Sequence, residues 1–341
     1  VKAVGSVLLA FIAIGLLAGP PGADGQSPSP PRLIAFLSGD TSPLSRKCTS
    51  TGTGTGTAVG ERAFVEGLQS LGYRDGENIV LECRSAEGKY ERLDAHAADL
   101  VKMKPAVFVA SASPASVAAK RATSSIPIIS VYTADPVSLG LVESLGRPGG
   151  NVTGISALAS DYVAKSLQLL KEAAPRTSRV GVLGHGGNPT WAIYKRELEP
   201  AGRALGIALD FEPVQALGEI ETALSALKRR GADALLVMHQ PLIFVNRESI
   251  VTAVGKHRLP TMYGSSEAVE LGGLLSYSVD VVAVYRRAAV LIDKVLKGAK
   301  PRELPVEQPT SFQLAVNLKT AKSLGLSLPP PLRLRADRVI E

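Results

Sequence analysis

The sequence predicts an α/β protein built as two doubly wound parallel-sheet lobes joined by a hinge. Three observations carry that prediction. Short apolar, β-branched runs alternate with helical stretches along most of the chain, as in a parallel sheet covered by helices on both faces. The run Ile128, Ile129, Ser130, Val131 lies between Pro127 and a polar loop, the context of a strand buried on both faces. Beyond Pro148, Gly149, Gly150 and Ser156 the alternation starts again, and 341 residues suffice for two domains of ordinary size.

Residues 1–25 read as a signal peptide. Lys2 precedes an apolar run over 7–18, Pro20, Pro21 and Gly22 follow, and Ala23 and Gly25 form a small-x-small site for cleavage after Gly25. The run is shorter than the ~20 residues a bilayer span needs, so export with cleavage is expected rather than an anchor. Residues 26–31 are expected as a disordered leader and 32–38 as the first strand. The stretch 39–60 contains TSTGTGTGT but lacks the GK[ST] ending of a phosphate-binding loop, so it reads as a floppy insertion.

From Val59 the positions Val59, Ala63, Phe64, Gly67, Leu68 and Leu71 recur at helical spacing, and Gly72 closes the helix. Strand 78–83, helix 90–102, strand 106–110, helix 115–123 and the strand at Ile128 follow, then a polar loop, a short helix and the glycine-rich exit. The second half repeats the pattern with helix 161–173, strand 179–183, helix 190–205, strand 207–212, helix 218–230 and strand 234–238. A helix over 245–257, short strands at 260–262 and 274–276 and a long helix over 281–296 complete it. Open sheets of this kind bind ligands outside their strand carboxyl ends, which places Tyr132, Thr133 and Asp135 in a candidate cleft.

Composition narrows the chemistry. The net charge of +7 is scattered over helices, as at Lys228, Arg229, Arg230, Arg286 and Arg287, with no basic tract interleaved with aromatics, so no nucleic-acid partner is expected. The four histidines show no metal-ligand spacing, and no G-x-S-x-G elbow supplies a nucleophile. Drawing His185, Asp135 and a strand-end serine as a hydrolytic set is therefore the weaker reading, and no enzyme activity is expected. Asn151 to Thr153 matches the glycosylation pattern but reads as a turn. Of the two cysteines, Cys83 is expected in the core and Cys48 in a flexible loop; unpaired thiols are favoured over a bridge.

Four blocks carry a family likeness: AFVEGLQSLGYRDGENIVLECRSAEGKYERL over 63–93, IPIISVYTADPVSLGLVESLGRPGGNVTGIS over 126–156, GGLLSYSVDVVAVYRRAAVLIDKVLKGAKPRELPVEQPTSFQLAVNLKTAKSLGLSLPP over 272–330, and the closing RADRVIE. They resemble the ABC-transporter substrate-binding proteins of the tryptophan/tyrosine-type family. The resemblance implies a type I periplasmic binding fold that closes on a small molecule, a periplasmic location, an ABC permease as partner, a monomer, and neither metal nor cofactor. It also implies crossings between lobes near 152–156 and 276–280. Lobe 1 is then expected over 32–153 plus 281–304, and lobe 2 over 154–280 plus 305–341.

A ligand of this class, an aromatic or other amino acid or an aromatic carboxylate, needs donors for its carboxylate, a partner for any ammonium and an apolar wall. In the first lobe the strand-end loops offer Ser38 and Ser42, then Ser111, Ala112 and Ser113, then Tyr132, Thr133 and Asp135. Ser111 to Ser113 precede Pro114 and a helix, whose free amides and dipole favour an anion, although Ser113 also fits as that helix's N-cap. Asp135 before Pro136 fits an Asx turn better than a cation site.

In the second lobe Asn188 falls where the family carries an Asn-Pro pair. Trp191 is either a stacking platform or a helix-packing residue. Gln240, Tyr263 and Glu267 follow later strands. Here the chain departs from the pattern, with His239 and Gln240 before Pro241 in place of an acid. An amide does not balance an ammonium as a carboxylate does, so Glu267 or Asp280 would have to. The expected order of binding is docking on Ser38, Ser111 and Tyr132, then covering by Asn188, Gln240 and Tyr263. A soluble sensor docking on a membrane receptor shares every one of these features.

Overall fold

The computed structural model describes residues 30–39, 57–157 and 162–341. The expected signal peptide, residues 26–29 of the leader, and the glycine and threonine stretch with Ser42 and Cys48 lie outside the described residues. Both lobes belong to one compact unit, Pro31–Glu341.

The first lobe runs through β1 (Arg32–Ser38), α1 (Thr57–Ser70), β2 (Ile79–Ser85), α2 (Leu93–Lys102), β3 (Val107–Ser111), α3 (Ala112–Ala122), β4 (Ile128–Thr133) and β5 (Val152–Ser156). Its sheet is wholly parallel in the order β2-β1-β3-β4-β5. Successive residues of a strand point to opposite faces, and β1 shows the consequence. Ile34 and Phe36 enter one core with α1, whereas Ala35 and Leu37 enter the other with α2 and α3. Burying Ile34, Phe36 or Leu37 contributes about 1.5 to 3 kcal/mol each, which is why the strand reads as an unbroken apolar run.

The second lobe repeats the winding through α4 (Tyr162–Ala173), β6 (Arg179–His185), α5 (Thr190–Leu205), β7 (Ala208–Val214), α6 (Ile220–Arg229), β8 (Ala234–Val237), α7 (Pro241–Val245), α8 (Arg247–His257), β9 (Thr261–Tyr263), α9 (Ser266–Glu270) and β10 (Leu275–Val279). The order β7-β6-β8-β9-β10 is that of the first sheet. The chain then returns to the first lobe as α10 (Val281–Leu296), begun by Asp280, whose carboxylate accepts the Ala283 N–H at 3.0 Å. Helix α10 packs on α1, where Gly67 brings the backbones together; a Cβ there would sit 2.9 Å from that of Ala289.

The last elements are β11 (Phe312–Asn317), α11 (Leu318–Ser323), α12 (Pro330–Leu334) and β12 (Arg338–Ile340). Strands β11 and β12 extend the second sheet, and β11 runs antiparallel to β10, the one departure from a parallel ladder among the described strands. The reason is topological. Strand β10 leaves toward the first lobe and β11 comes back from it, so the two cross the same gap in opposite directions.

Several expectations are corrected in detail. Residues 134–151 hold turns in place of a short helix, because Asp135 accepts the Ser138 N–H at 3.0 Å and the Ser144 hydroxyl bridges to Arg147. Strand β5 completes the first sheet, and the chain leaves that sheet only after Ser156. The segment after Pro305 also stays with the first lobe for two more residues. The Glu307 N–H donates to Gly154 at 2.9 Å and the Ser156 N–H to Glu307 at 2.8 Å, so the last passage falls between Glu307 and Phe312. Cys83 is buried on β2 and is disulfide-bonded, not a free thiol. A single bridge requires only two cysteines brought together, and the other cysteine, Cys48, lies outside the described residues.

Candidate functional site

The carboxyl ends of strands from both sheets open on one cavity between the lobes. The first lobe contributes Ser111, Ala112 and Ser113 after β3, and Tyr132 and Ala134 at the end of β4. The second contributes Asn188, Thr190 and Tyr194 after β6, His239, Pro241 and Phe244 after β8, and Glu267 after β9. Ala157, Val281 and Tyr285 close it where the chain passes between lobes. About 650 Å³ lies between these walls, its mouth included, but only about 60 Å³ admits the centre of a water molecule, so the space is narrow.

Two cavity residues hold the backbone in the left-handed region without being glycine: Ala112 at φ +67 and Tyr132 at φ +58. That conformation costs an L-residue roughly 1–2 kcal/mol and persists where surrounding structure enforces it, commonly at a working site. At Tyr132 the ladder between β4 and β5 also shifts register, which re-aims the side chain toward the cleft. Ser111 precedes α3 in extended conformation, and its hydroxyl shares a short hydrogen bond with the Tyr285 hydroxyl. Helix α3 starts earlier than the sequence indicates. Ser113 therefore lies inside its first turn, where its hydroxyl accepts the Ala134 N–H at 3.0 Å, and is not the N-cap.

On the facing lobe Asn188 accepts from the Thr190 N–H at 2.9 Å and hydroxyl at 2.8 Å, fixing the start of α5. Its amide reaches the Tyr90 hydroxyl of the first lobe at 3.2 Å. Tyr90 also meets His185, with ring centroids 4.8 Å apart, and Tyr132 meets His239 edge-on at 5.1 Å. These contacts hold the lobes together around the cavity.

The electrostatics are sparse. Among the described lining residues Glu267 is the one carboxylate, and no lysine or arginine is present. Burial holds His239 neutral and lowers its pKa to about 4; the Gly264 backbone opposes this and the Arg247 charge adds to it. Burial likewise lowers His185, and it raises the Tyr132 phenol well above its ordinary value. The cavity thus has the amino end of α3 on its first-lobe wall and the Glu267 carboxylate on its second-lobe wall.

Of the residues singled out from sequence, Ser111, Ala112, Ser113, Tyr132, Asn188 and Glu267 come together here. The others among the described residues stand elsewhere and have their own partners. Ser38 is buried at the end of β1, where its carbonyl accepts the Ala86 N–H at 2.9 Å. Thr133 turns away into a buried hydroxyl cluster, 2.8 Å from Ser116 and 2.6 Å from Ser130. Asp135 closes its turn and pairs with Arg196. Trp191 packs edge-on against Phe211 with the second-lobe core.

Gln240 is buried with its carbonyl on the His185 N–H and its amide on the Thr190 hydroxyl at 3.0 Å, so it braces two loops of its own lobe. Tyr263 is buried in the core on the α6 and α8 side. Sequence reasoning missed Tyr194, Phe244 and Tyr285 as wall residues, because each lies on an apolar helical stripe that reads as core. It treated His239 only as part of a departure from the family pattern.

Comparison with known proteins agrees with this architecture. A model of the ABC transporter substrate binding protein family matches residues 56–340. The chain is 27% identical over 281 residues to a tyrosine-binding protein of Clostridioides difficile, covering 82% of this chain and 79% of that one. A solved Streptococcus pneumoniae structure, an ABC domain in complex with L-Trp, superposes with a TM-score of 0.82 at 24% identity, covering 91% of this chain and all of that one. A conserved domain protein of Vibrio cholerae gives the same TM-score and identity, over 90% of this chain and 99% of its own. Two similar lobes that meet around one cavity, and a family match spanning both, lead to one conclusion: this chain belongs to the ABC transporter substrate binding protein family.

Proposed function

We propose that this protein is exported, captures an aromatic amino acid between its lobes and presents the closed form to an ABC permease. The observation that carries the reading is the cavity itself, walled by both lobes and by Tyr132, Tyr194, Phe244 and Tyr285. A ligand held by both walls binds the closed form better than the open one and so shifts the population toward closure. The bound tryptophan of the S. pneumoniae structure and the name of the C. difficile relative support an aromatic amino acid as the class. Glu267 takes the ammonium in place of the acid absent at Gln240, and the amino end of α3 takes the carboxylate. The hinge is formed by the passages after Ser156, at Asp280 and between Glu307 and Phe312.

The test is a thermal-unfolding screen of residues 26–341, unfolded and refolded beforehand to strip bound compounds. Tyrosine, tryptophan, phenylalanine, branched amino acids and aromatic carboxylates are added in turn. A ligand at ~100 times its dissociation constant stabilises the fold by about 2.7 kcal/mol, a visible shift of the midpoint. Aromatic amino acids are expected to shift it and Glu267→Gln to remove the shift. A shift by aromatic carboxylates lacking an amine, and by nothing else, overturns the ammonium assignment.

A further inference from the structure

Resting on the aromatic-ligand reading, we propose that His239 is the specificity residue of this cavity. It selects a ring that carries a hydrogen-bonding group, a phenol hydroxyl or an indole N–H, over the bare ring. The imidazole lines the cavity between an aromatic of each lobe, its centroid 5.1 Å from that of Tyr132 and 5.0 Å from that of Phe244. A planar ligand entering this aromatic part of the cleft meets the histidine.

Several neighbouring polar groups of the wall are already engaged. Ser111 and Tyr285 satisfy each other, Ser113 is engaged by Ala134, and Asn188 and Thr190 are bonded together. The Tyr194 hydroxyl is directed at the His239 carbonyl, 3.4 Å away. The His239 Nδ1 is sealed in the protein, so Nε2 is the nitrogen assigned to the ligand. Held neutral by burial, the ring offers there one donor or one acceptor and no charge, the complement of a neutral hydroxyl or N–H. A phenyl ring would offer Nε2 no partner, a cost that makes such sites discriminate.

The experiment is calorimetric titration of tyrosine, tryptophan and phenylalanine into residues 26–341, as wild type, His239→Phe and His239→Gln. The wild type is expected to prefer tyrosine or tryptophan over phenylalanine by roughly tenfold, the scale of one hydrogen bond. His239→Phe should bind phenylalanine at least as well as wild type and lose the preference, whereas His239→Gln, which keeps a donor and an acceptor, should retain part of it. If His239→Phe does not fold, His239→Ala is the second apolar variant and must lose the preference in the same way. Equal wild-type affinity for all three, or a preference that survives in the apolar variant, overturns the inference and leaves the aromatic-ligand reading intact. Absence of binding by any aromatic amino acid overturns both.

Discussion

Arg196 on α5 places its Nη2 2.8 Å from Asp135 Oδ2, so an ion pair bridges the cleft from the second lobe to the first. Arg196 also reaches the Ser138 hydroxyl at 3.2 Å. Burial alone would raise the Asp135 carboxyl, but hydrogen bonds from Ser138 and Arg196 outweigh it and hold the group below the ordinary carboxylate range. Neither residue lines the cavity, so the pair acts on closure and not on ligand chemistry.

Arg196→Ala is therefore expected to weaken ligand binding by a few-fold at most, mainly through faster release. The arginine is about half exposed, and such pairs contribute ~0.2–1 kcal/mol, screened by salt. Stopped-flow dissociation at low and high salt checks this. A wild-type rate that responds to salt and an Arg196→Ala rate that does not is the expected pattern.

Acid should destabilise the fold through His239. Its pKa falls from 6.5 to about 4 on folding, so between those values the unfolded chain binds a proton that the folded one does not. Stability from this group is full above about pH 6.5, declines as pH falls and stops declining near pH 4, by as much as ~3 kcal/mol. The lowered Asp135 carboxyl acts in the same direction at lower pH, since its contribution is lost as pH falls through its folded value. Thermal midpoints from pH 7 to 4.5 should fall less steeply for His239→Phe than for wild type.

Gln240→Glu tests the apparent loss of an acid. Restoring the carboxylate is not expected to improve ligand binding, because residue 240 is buried and spans the His185 N–H and the Thr190 hydroxyl. The substitution instead buries a charge and should lower stability by about 1 to 3 kcal/mol, read by urea unfolding. Tighter amino-acid binding by this variant would contradict the assignment.

Gly154→Ala should prevent folding or cost several kcal/mol. The residue has φ +150, and a Cβ would lie 1.8 Å from the Ser130 carbonyl oxygen, against backbone of the neighbouring strand. Expression and circular dichroism of the variant check it.

Ser116→Ala should cost about 1 to 3 kcal/mol, since it breaks the buried hydroxyl cluster with Ser130 and Thr133, and should leave ligand affinity unchanged. Unfolding and titration measured together separate the two effects.

The alternation of strands and helices was legible because the central strands bury both faces and the helices chiefly one, so apolar spacing alone reports it. Helices α5 and α10 have the ends that periodicity indicates. The start of α3 was misread, because Pro114 is as compatible with the third helical position as with the first. Half of the candidate site was legible for a related reason. Position after a parallel strand indicates which loops face the cleft, and Ser111, Tyr132 and Asn188 of those loops line the cavity.

Position in sequence does not say where a side chain turns. The bulge that rotates Tyr132 inward leaves its neighbour Thr133 pointing at Ser116, and Gln240, one residue beyond His239, points back into its own lobe. The sequence by itself determined the two windings, the family and the loops that hold the site. Only the tertiary structure decided which residues of those loops meet, because the cavity is made by contacts between chain segments as far apart as Ser111 and Tyr285, and such contacts leave no local pattern.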